Sequence, residues 1–365
     1  MASGIRVALL GACLSTLALG AARAATPWSF PVLKIDPPRA SADVLPTGSQ
    51  VVTYTAPAAA KGHYNLCLLL PQTADPVFIG YMYGAISEAK RLGQSLTIFN
   101  ANSLDTTVPM INQFQNCMTL GYNAILIQPA LQDGWNNLVK QAQSKGIKVV
   151  EVAQGTTATT INGRTIDNFV DEGARLAGAV AADYKDAPGP VHVLLDAGPA
   201  GEGFVTQTVI GVKKGIKGTN LVLDNVVYGD MTANGELNTI SDALEADPKI
   251  NAIIANGDGA REAALLLKRK GLAGKIKVYA MWLDPEIKQD IENGLIQAAA
   301  LENGVVMFRI GVDLAVEALD GNNTVQDITP MPGLATKANI NDPSVSLDNF
   351  APQGWKPVFQ TKWKG

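Results

Sequence analysis

Residues 64–93, YNLCLLLPQTADPVFIGYMYGAISEAKRLG, carry the pattern from which the rest of the architecture follows. The stretch opens with a short apolar run, passes through a loop with two prolines, and continues as a longer amphipathic segment ending at Gly93. A short continuous apolar run is typical of a strand buried on both faces, and the longer segment has helical periodicity closed by glycine. The stretch therefore predicts one strand–loop–helix unit of a parallel sheet.

The same alternation continues as far as residue 320. The later apolar runs are SLTIFN, AILI, KVVEV, VHVLL, LVLDNVVY, NAIIA, KVYAM and IQAAAL. Amphipathic stretches of helical length separate these runs, and most of them end in glycine. Because a single open sheet rarely holds so many strands, we expect an α/β chain with two doubly wound parallel-sheet lobes.

Composition narrows the possible functions. The chain has 365 residues, a formal net charge of −4, two histidines (His63 and His192) and three cysteines. The acidic balance argues against a nucleic-acid partner, because phosphate contacts need an excess of Lys and Arg. The shortage of His and Cys leaves little material for zinc sites or acid–base catalysis. We therefore expect no metal and no cofactor.

The first residues predict an export signal. Arg6 precedes an apolar run over residues 7–22, and Ala22-Arg23-Ala24 supplies the small residues that favour cleavage after Ala24. A membrane anchor is one alternative, and lipid attachment at Cys13, within LGAC, is another. No later apolar stretch reaches membrane length, so we expect a periplasmic protein that is not inserted in the membrane.

Cleavage after Ala24 would remove Cys13 and leave Cys67 and Cys117. An even pair of cysteines in an exported protein predicts a disulfide, here between the first strand of the core and the second helix. Two buried free thiols are the alternative.

In open α/β folds, ligands bind beyond the carboxyl ends of the strands. The loops at those positions hold many acids and no Lys or Arg. Helix capping explains part of this bias, because carboxylates stabilise helix N-termini. The functional interpretation is a cleft rich in hydrogen-bond acceptors, suited to a polyhydroxyl or cationic ligand and unsuited to a phosphate.

Three aromatic residues lie in the same loops: Phe78, Phe204 and Trp282. Such rings stack on the apolar faces of sugars or over alkylammonium groups. Burial in the core is the alternative for the two phenylalanines, whereas the place of Trp282 between a strand and a helix start favours the cleft.

The catalytic motifs of exported α/β enzymes are missing. The sequence contains no G-x-S-x-G, no dinucleotide fingerprint, no phosphate-binding P-loop, no H-E-x-x-H and no C-x-x-C. We therefore expect a protein that is not an enzyme, and keep an exported α/β enzyme without a recognised motif as the alternative.

Several motifs resemble the type I periplasmic binding proteins, the ribose-binding class. They are the first strand with its P-x-x-x-x-P-V-F loop, GYNAILIQPA, the D-E-x-x-x-L-A-G helix start at Asp171, IIANGDGAREAALLL, and LENG. The resemblance implies two lobes joined by a multi-strand hinge, with ligand contacts at Asp171, at the Asn256/Asp258 loop and at Glu302-Asn303. It also implies a membrane permease or a sensor kinase as partner.

Further motifs resemble the TorT-type periplasmic sensor proteins, whose ligand is trimethylamine N-oxide. These motifs are LCLLLP, NCMTLGYNAIL, LLDAGPAGEGF and the closing FAPQGWKPVF. Phe78 and Trp282 occupy two positions of the TorT-type aromatic cage, but Val170 stands where that cage has a tryptophan. The resemblance to these sensor proteins therefore leaves the ligand open between a sugar-like and a methylamine-like molecule.

Together these expectations divide the chain and define a site. Residues 1–24 form the leader and 25–62 an extended arm with a possible strand at Gln50–Tyr54. Residues 63–168 plus about 303–330 form the N-terminal lobe, and 169–302 plus about 331–365 the C-terminal lobe of a monomer. The predicted ligand-binding residues are Asp75, Phe78, Gln128, Asp171, Glu172, Phe204, Asn256, Asp258, Trp282, Asp284, Glu302 and Asn303.

Overall fold

A computed structural model describes residues 26–103 and 106–363 of the chain. The predicted leader, with Cys13 and the cleavage site after Ala24, lies outside these residues. The strands are β1 (Ser29–Ile35), β2 (Ser49–Thr55), β3 (Asn65–Leu70), β4 (Ser95–Asn100), β5 (Ala124–Ile127), β6 (Lys148–Ala153), β7 (Gly163–Ile166), β8 (Val191–Asp196), β9 (Leu221–Val227), β10 (Ile250–Ala255), β11 (Lys277–Ala280), β12 (Ala298–Leu301), β13 (Gln326–Pro330), β14 (Gly333–Thr336) and β15 (Gln360–Thr361).

The helices alternate with the strands from β3 onward. They are α1 (Pro76–Arg91), α2 (Val108–Thr119), α3 (Asn136–Ser144), α4 (Phe169–Asp183), α5 (Gly203–Gly215), α6 (Ala233–Ala246), α7 (Gly257–Arg269), α8 (Pro285–Glu292), α9 (Gly304–Leu319) and α10 (Pro343–Asn349). Every apolar run picked out in the sequence is a strand, and every amphipathic stretch contains a helix. Gly93, with φ of +67°, allows the chain to reverse after α1.

The strands form two sheets, which confirms the predicted two-lobed α/β fold. Within the described residues, the N-lobe sheet has the order β15-β4-β3-β5-β6-β7-β13-β1-β2, and the C-lobe sheet has the order β14-β12-β11-β10-β8-β9. Neighbours from β4 to β13 and from β12 to β9 run parallel, as the continuous apolar strands predict. The chain crosses between the sheets at residues 166–169, 301–304 and 330–333.

The N-lobe sheet separates two apolar cores. Helices α1 and α9 pack on one face, and α2 and α3 pack on the other. The second core contains a disulfide between Cys67 on β3 and Cys117 on α2, with their Cα atoms 6.4 Å apart. The predicted pairing is confirmed. By closing a loop over a sequence separation of 50, the bond stabilises the fold by about 4 kcal/mol in the chain-entropy model.

Both ends of the described chain differ from their predicted placement. The arm predicted over residues 25–62 is part of the N-lobe sheet, because β2 pairs with β1 and β1 pairs with β13. The predicted strand at Gln50–Tyr54 lies within β2. The assignment of residues 331–365 to the C-terminal lobe is wrong for their last part. Strand β15 pairs with β4, and Trp363 stacks on His63 at a ring distance of 3.5 Å.

A buried network of charges holds the arm against the sheet. Arg164 of β7 donates from Nε to Glu151 Oε2 at 2.7 Å and from Nη1 to the carbonyl of Arg39 at 2.9 Å. Arg39 in turn donates from Nε and Nη2 to the carboxylate of Asp327 on β13. The side chains of Arg164, Glu151 and Asp327 are fully buried. The guanidinium groups therefore keep both carboxylates paired in a low-dielectric interior.

Replacing Arg164 with leucine should lower the free energy of unfolding by about 3–5 kcal/mol, because Glu151 loses its partner inside the core. Urea unfolding followed by circular dichroism measures the loss. The matched control is Arg175→Leu, which breaks a pair with Asp171 whose side chains are 39% and 34% exposed. That change should cost less than about 1 kcal/mol. Equal losses in the two variants would contradict the structural role given to Arg164.

Candidate functional site

A cleft of about 390 Å³ opens between the two lobes. The N-lobe wall comes from the loops after β3, β4, β5 and β6, and the C-lobe wall from the loops after β8, β9 and β11. Asp167 and Glu302 lie in two of the segments that cross between the sheets, and both line the cleft. The site is thus at the carboxyl ends of the parallel strands, where the fold class predicts it.

The first helix organises the N-lobe wall. Asp75 caps α1 by accepting a hydrogen bond from the Val77 amide at 3.0 Å. Phe78 and Tyr81 follow on one face of the helix, with ring centroids 5.3 Å apart. The Tyr81 hydroxyl donates to Glu302 Oε2 at 2.8 Å, and its ring stacks on Phe308 of α9. Tyr81, on a helix of the N lobe, thus holds the carboxyl group of Glu302 in a segment that crosses between the lobes.

Aromatic rings also line the C-lobe side. Phe204 at the start of α5 lies 5.9 Å from Phe169 at the start of α4, measured between ring centroids. Trp282 follows β11 and packs against the first turn of α7. A Cβ atom at Gly257 would lie 2.2 Å from Trp282 Nε1, so only glycine leaves room for the indole in this position. The aromatic planes therefore come from both lobes.

Two buried polar atoms of the cleft have no hydrogen-bond partner among the described residues: Gln128 Oε1 and Asp167 Oδ2. Gln128 is 4% exposed and Asp167 is 3% exposed. An unpaired buried acceptor costs about 1–3 kcal/mol, and more if it is charged. Since both residues line the cleft, a bound molecule with hydrogen-bond donors would satisfy them.

The cleft is acidic. Its lining includes the carboxyl groups of Asp75, Asp167, Glu202, Asp230 and Glu302, and no Lys or Arg of the described chain contributes to it. Burial raises the pKa of Glu302 to about 7, and the Asp75 charge adds to this effect while the Tyr81 hydrogen bond opposes it. Burial raises the pKa of Asp167 well above its usual range, with Glu302 and Glu172 adding to the shift. Burial also raises the pKa of Asp75 to about 6.

Half of the predicted ligand-binding residues line this cleft: Asp75, Phe78, Gln128, Phe204, Trp282 and Glu302. The other half lie around it.

Asp258 and Asp284 lie beside the cleft and pair with Arg261 of α7. Asp284 also caps α8, because its Oδ1 accepts from the Glu286 and Ile287 amides. The loops lack bases, as the sequence indicates, but Arg261 reaches the same region from within a helix. The spacing of Asp258 and Arg261, three residues apart on α7, is the signal that could have revealed this pair.

Asn256, Glu172, Asp171 and Asn303 serve the framework around the cleft. Asn256 is buried and donates to Asp196 Oδ2 and Glu236 Oε1 at 3.3 and 3.0 Å. Glu172 is buried, and Asp171 pairs with Arg175 on the same helix. Asn303 has φ of +54°, and its backbone N–H donates to Asn349 Oδ1. It therefore shapes the crossing segment and does not line the cleft.

The most important residues absent from the sequence prediction are Tyr81 and Asp167. Tyr81 lies three residues after Phe78, a helical spacing that places both on one face. Asp167 follows β7, whose sequence GRTI has no apolar run and therefore gives no strand signal. The loops after β9 contribute Asp230, Met231 and Thr232 as well.

Comparison with known proteins identifies the family. A model of the periplasmic binding protein domain matches residues 66–323. This chain belongs to that family. The periplasmic protein TorT of Escherichia coli K12 is 24% identical to it over 308 residues, which cover 84% of this chain and 88% of TorT. The ribose import binding protein RbsB of Salmonella typhimurium is 26% identical over 275 residues, covering 74% of this chain and 88% of RbsB.

A similar solved structure comes from Bradyrhizobium sp. BTAi1. It is an ABC transporter solute-binding protein with bound bis-tris, 28% identical in sequence, with a TM-score of 0.79. The match covers 90% of this chain and 98% of that protein. The relatives are thus periplasmic binding proteins rather than enzymes. In the part of this chain that the structure describes, no helix combines the length and apolar character needed to cross a membrane.

Glu302→Gln should stabilise the ligand-free protein at high pH. The folded state raises the pKa of Glu302 from 4.5 to about 7, so ionisation of this group favours unfolding as pH rises through that interval. Glutamine keeps an acceptor for Tyr81 without the charge. We expect the variant to gain up to about 3 kcal/mol over the parent at pH 8 and to lose that advantage near pH 4.

Urea unfolding at the two pH values checks this expectation. Glu245→Gln is the control, because that side chain is 70% exposed, and it should change the free energy of unfolding by less than about 0.5 kcal/mol. A variant that is less stable than the parent at pH 8 would show that the Glu302 carboxylate is stabilised in the cleft.

Proposed function

We propose that this protein captures a small polar ligand, sugar-like or methylamine-like, between its two lobes in the periplasm. The observation that carries the proposal is the cleft itself, in which unpaired buried acceptors lie beside aromatic planes from both lobes. Acceptors fix the orientation of a ligand and flat rings cover its apolar faces, which is the usual composition of a small-molecule site.

The relatives support this range of ligands. RbsB is a ribose import binding protein, and the Bradyrhizobium protein holds bis-tris, an amine that bears several hydroxyl groups. Both molecules are small and rich in hydrogen-bond donors. The acidic cleft of this chain matches such donors, because carboxylates accept hydrogen bonds and donate none when ionised.

Ligand binding should close the two lobes and create the surface that a membrane partner recognises. Within residues 26–103 and 106–363, three short segments and the C-terminal return connect the sheets, so a hinge motion can bring the walls together around a ligand. Two partners are proposed for the closed form: an ABC permease, favoured by the import and transporter relatives, or a sensor kinase, favoured by the TorT-type motifs.

We further propose that the protein acts as a monomer, without catalysis, cofactor, metal or nucleic acid. The alternative, an exported α/β enzyme, would show turnover of the molecule that it binds. Incubation of the protein with a stabilising solute, followed by chemical analysis of the solute, distinguishes the two.

A thermal-shift screen against sugars, polyols, methylamines and amino acids tests the proposed function. A ligand present at 100 times its Kd should stabilise the folded state by roughly 2.7 kcal/mol and raise Tm by several degrees. If no class of solute shifts the transition, the solute-binding proposal fails.

A pair of variants locates the binding site of any solute found by the screen. Trp282→Ala should weaken binding by about tenfold or more, because the ring is lost from the cleft wall. Phe359→Ala is the control, since that ring is 45% exposed and lies next to β15, outside the cleft. Equal affinities of both variants and the parent would place the ligand elsewhere.

The proposed cleavage after Ala24 defines the first residue of the mature protein. We expect the periplasmic fraction of expressing cells to contain a chain that begins at Ala25, and intact-mass measurement detects it directly. A chain that begins at a lipid-bearing Cys13 in the membrane fraction would contradict cleavage after Ala24, as would an unprocessed chain.

A further inference from the structure

Two of the carboxyl groups that line the cleft lie at the hinge. Asp167 follows β7 and Glu302 follows β12, so each lies in a segment that crosses between the sheets. Glu172 is buried on α4, close enough that its charge raises the pKa of Asp167. Asp75 reaches the same region from α1, and its charge raises the pKa of Glu302. Four carboxyl groups therefore meet where the lobes turn against one another.

Several buried carboxylates elsewhere in the described residues have basic partners. Glu151 and Asp327 pair with Arg164 and Arg39, as described above. Glu88 on α1 pairs with Arg91 and Arg309. The fold thus repeatedly places a guanidinium beside a buried carboxylate, as the cost of burying an unpaired charge requires.

Among the described residues, the buried pair of Asp196 and Glu236 also has no guanidinium partner, and a neutral amide contacts it instead. Burial raises the pKa of Asp196 to about 9, and the neighbouring carboxyl group of Glu236 adds to this shift. The Asn256 amide donates to both residues. This pair does not line the cleft.

The hinge carboxyls receive neither solution. Asp167 Oδ2 is buried without a partner, and the Tyr81 hydroxyl is the hydrogen-bond donor to Glu302. The charges of Arg175 and Arg261 partly offset the effect of burial on the pKa of Glu172 and Asp75, but both arginines form their ion pairs with other carboxylates: Arg175 with Asp171, and Arg261 with Asp258 and Asp284. Gln128 Oε1 adds an unpaired acceptor from the N-lobe wall. Among the described residues, no Lys or Arg donates a hydrogen bond to Asp75, Asp167 or Glu302.

We infer that the ligand is an amine cation, and that its charged nitrogen binds among Asp75, Asp167 and Glu302. This inference rests on the proposed function and specifies the ligand class. A cation supplies the charge that arginines provide to Glu151, Asp327 and Glu88, and it does so at the two crossing segments. Occupancy therefore favours the ionised form of the carboxyls at the crossing segments, which couples ligand charge to closure. Aromatic rings of the walls cover the alkyl groups of the cation.

Proton release should accompany binding. Without ligand, burial raises the pKa of Asp75 to about 6 and that of Glu302 to about 7. A bound cation lowers both values, so affinity should rise with pH between about 5 and 8. The groups facing Glu302 are Tyr81, Asp75, Asp167 and Glu172, and those facing Asp75 across the cleft are Asp258, Asp284 and Arg261.

Matched pairs of amines and neutral molecules test the charge requirement. The pairs are choline with 3,3-dimethylbutan-1-ol, glucosamine with glucose, and galactosamine with galactose. Isothermal titration calorimetry at pH 8 should show that any pair that binds does so with the amine favoured by roughly tenfold or more. Choline keeps its charge at every pH, so a gain in its affinity between pH 5 and pH 8 reports the protein carboxyls alone. Neutral members that bind as tightly as the amines would overturn the inference while leaving the solute-binding function intact.

Two isosteric variants assign the effect to the hinge. Asp167→Asn and Glu302→Gln should each weaken amine binding by about tenfold and flatten its pH dependence, because each removes a negative charge and keeps the shape. Glu245→Gln, on the exposed surface, should preserve both. Unchanged amine affinity in both hinge variants would place the charge elsewhere and overturn the assignment. If none of the pairs binds, and the wider screen also finds no ligand, the proposed function fails together with the inference.

Discussion

The buried Arg164 side chain is the contact on which the geometry of the whole molecule depends. It joins β6 through Glu151, the N-terminal segment through the Arg39 carbonyl, and β13 through Asp327. Strands β7 and β13 are the ones from which the chain leaves the N-lobe sheet for the other lobe. Fixing them fixes the starting points of two crossing segments. Asp167 lies three residues after Arg164, so the position of this cleft carboxyl is set by an ion pair inside the sheet.

The structure uses the same residue types for two opposite purposes. Carboxylates in the interior of the N lobe are neutralised by arginines and hold elements together. Carboxyls at the hinge are buried to a similar degree but are left with few partners, which disfavours their ionised form. Sites that bind ligands commonly keep such unfavourable groups, because the ligand then supplies the charge or hydrogen-bond donor that no side chain provides.

The sequence predicts the elements that depend on local pattern and fails where distant partners decide. Strands β3 and β5 are continuous apolar runs, and their covering helices are visible from periodicity alone. Strand β7 gives no strand signal because Arg164 and Thr165 are polar. The burial of Arg164 depends on ion pairs with Glu151, 13 residues earlier, and with Asp327, 163 residues later. The loops of the cleft follow from strand direction. Strand direction does not predict which acidic side chains face the cleft. Asp258 pairs with Arg261 on its own helix, and Asp284 caps helix α8.

The N-lobe sheet has a consequence for the order in which the protein can fold. Strand β1, among the first described residues, pairs with β13 some 300 positions later, and β15 at the other end completes the opposite edge. These two pairings join segments that are far apart in sequence. Such pairings slow folding, because loop-closure entropy is lost before the pairing is gained. The sheet as described is complete only when β13 and β15 are also available. The first lobe in sequence is therefore the last to be completed.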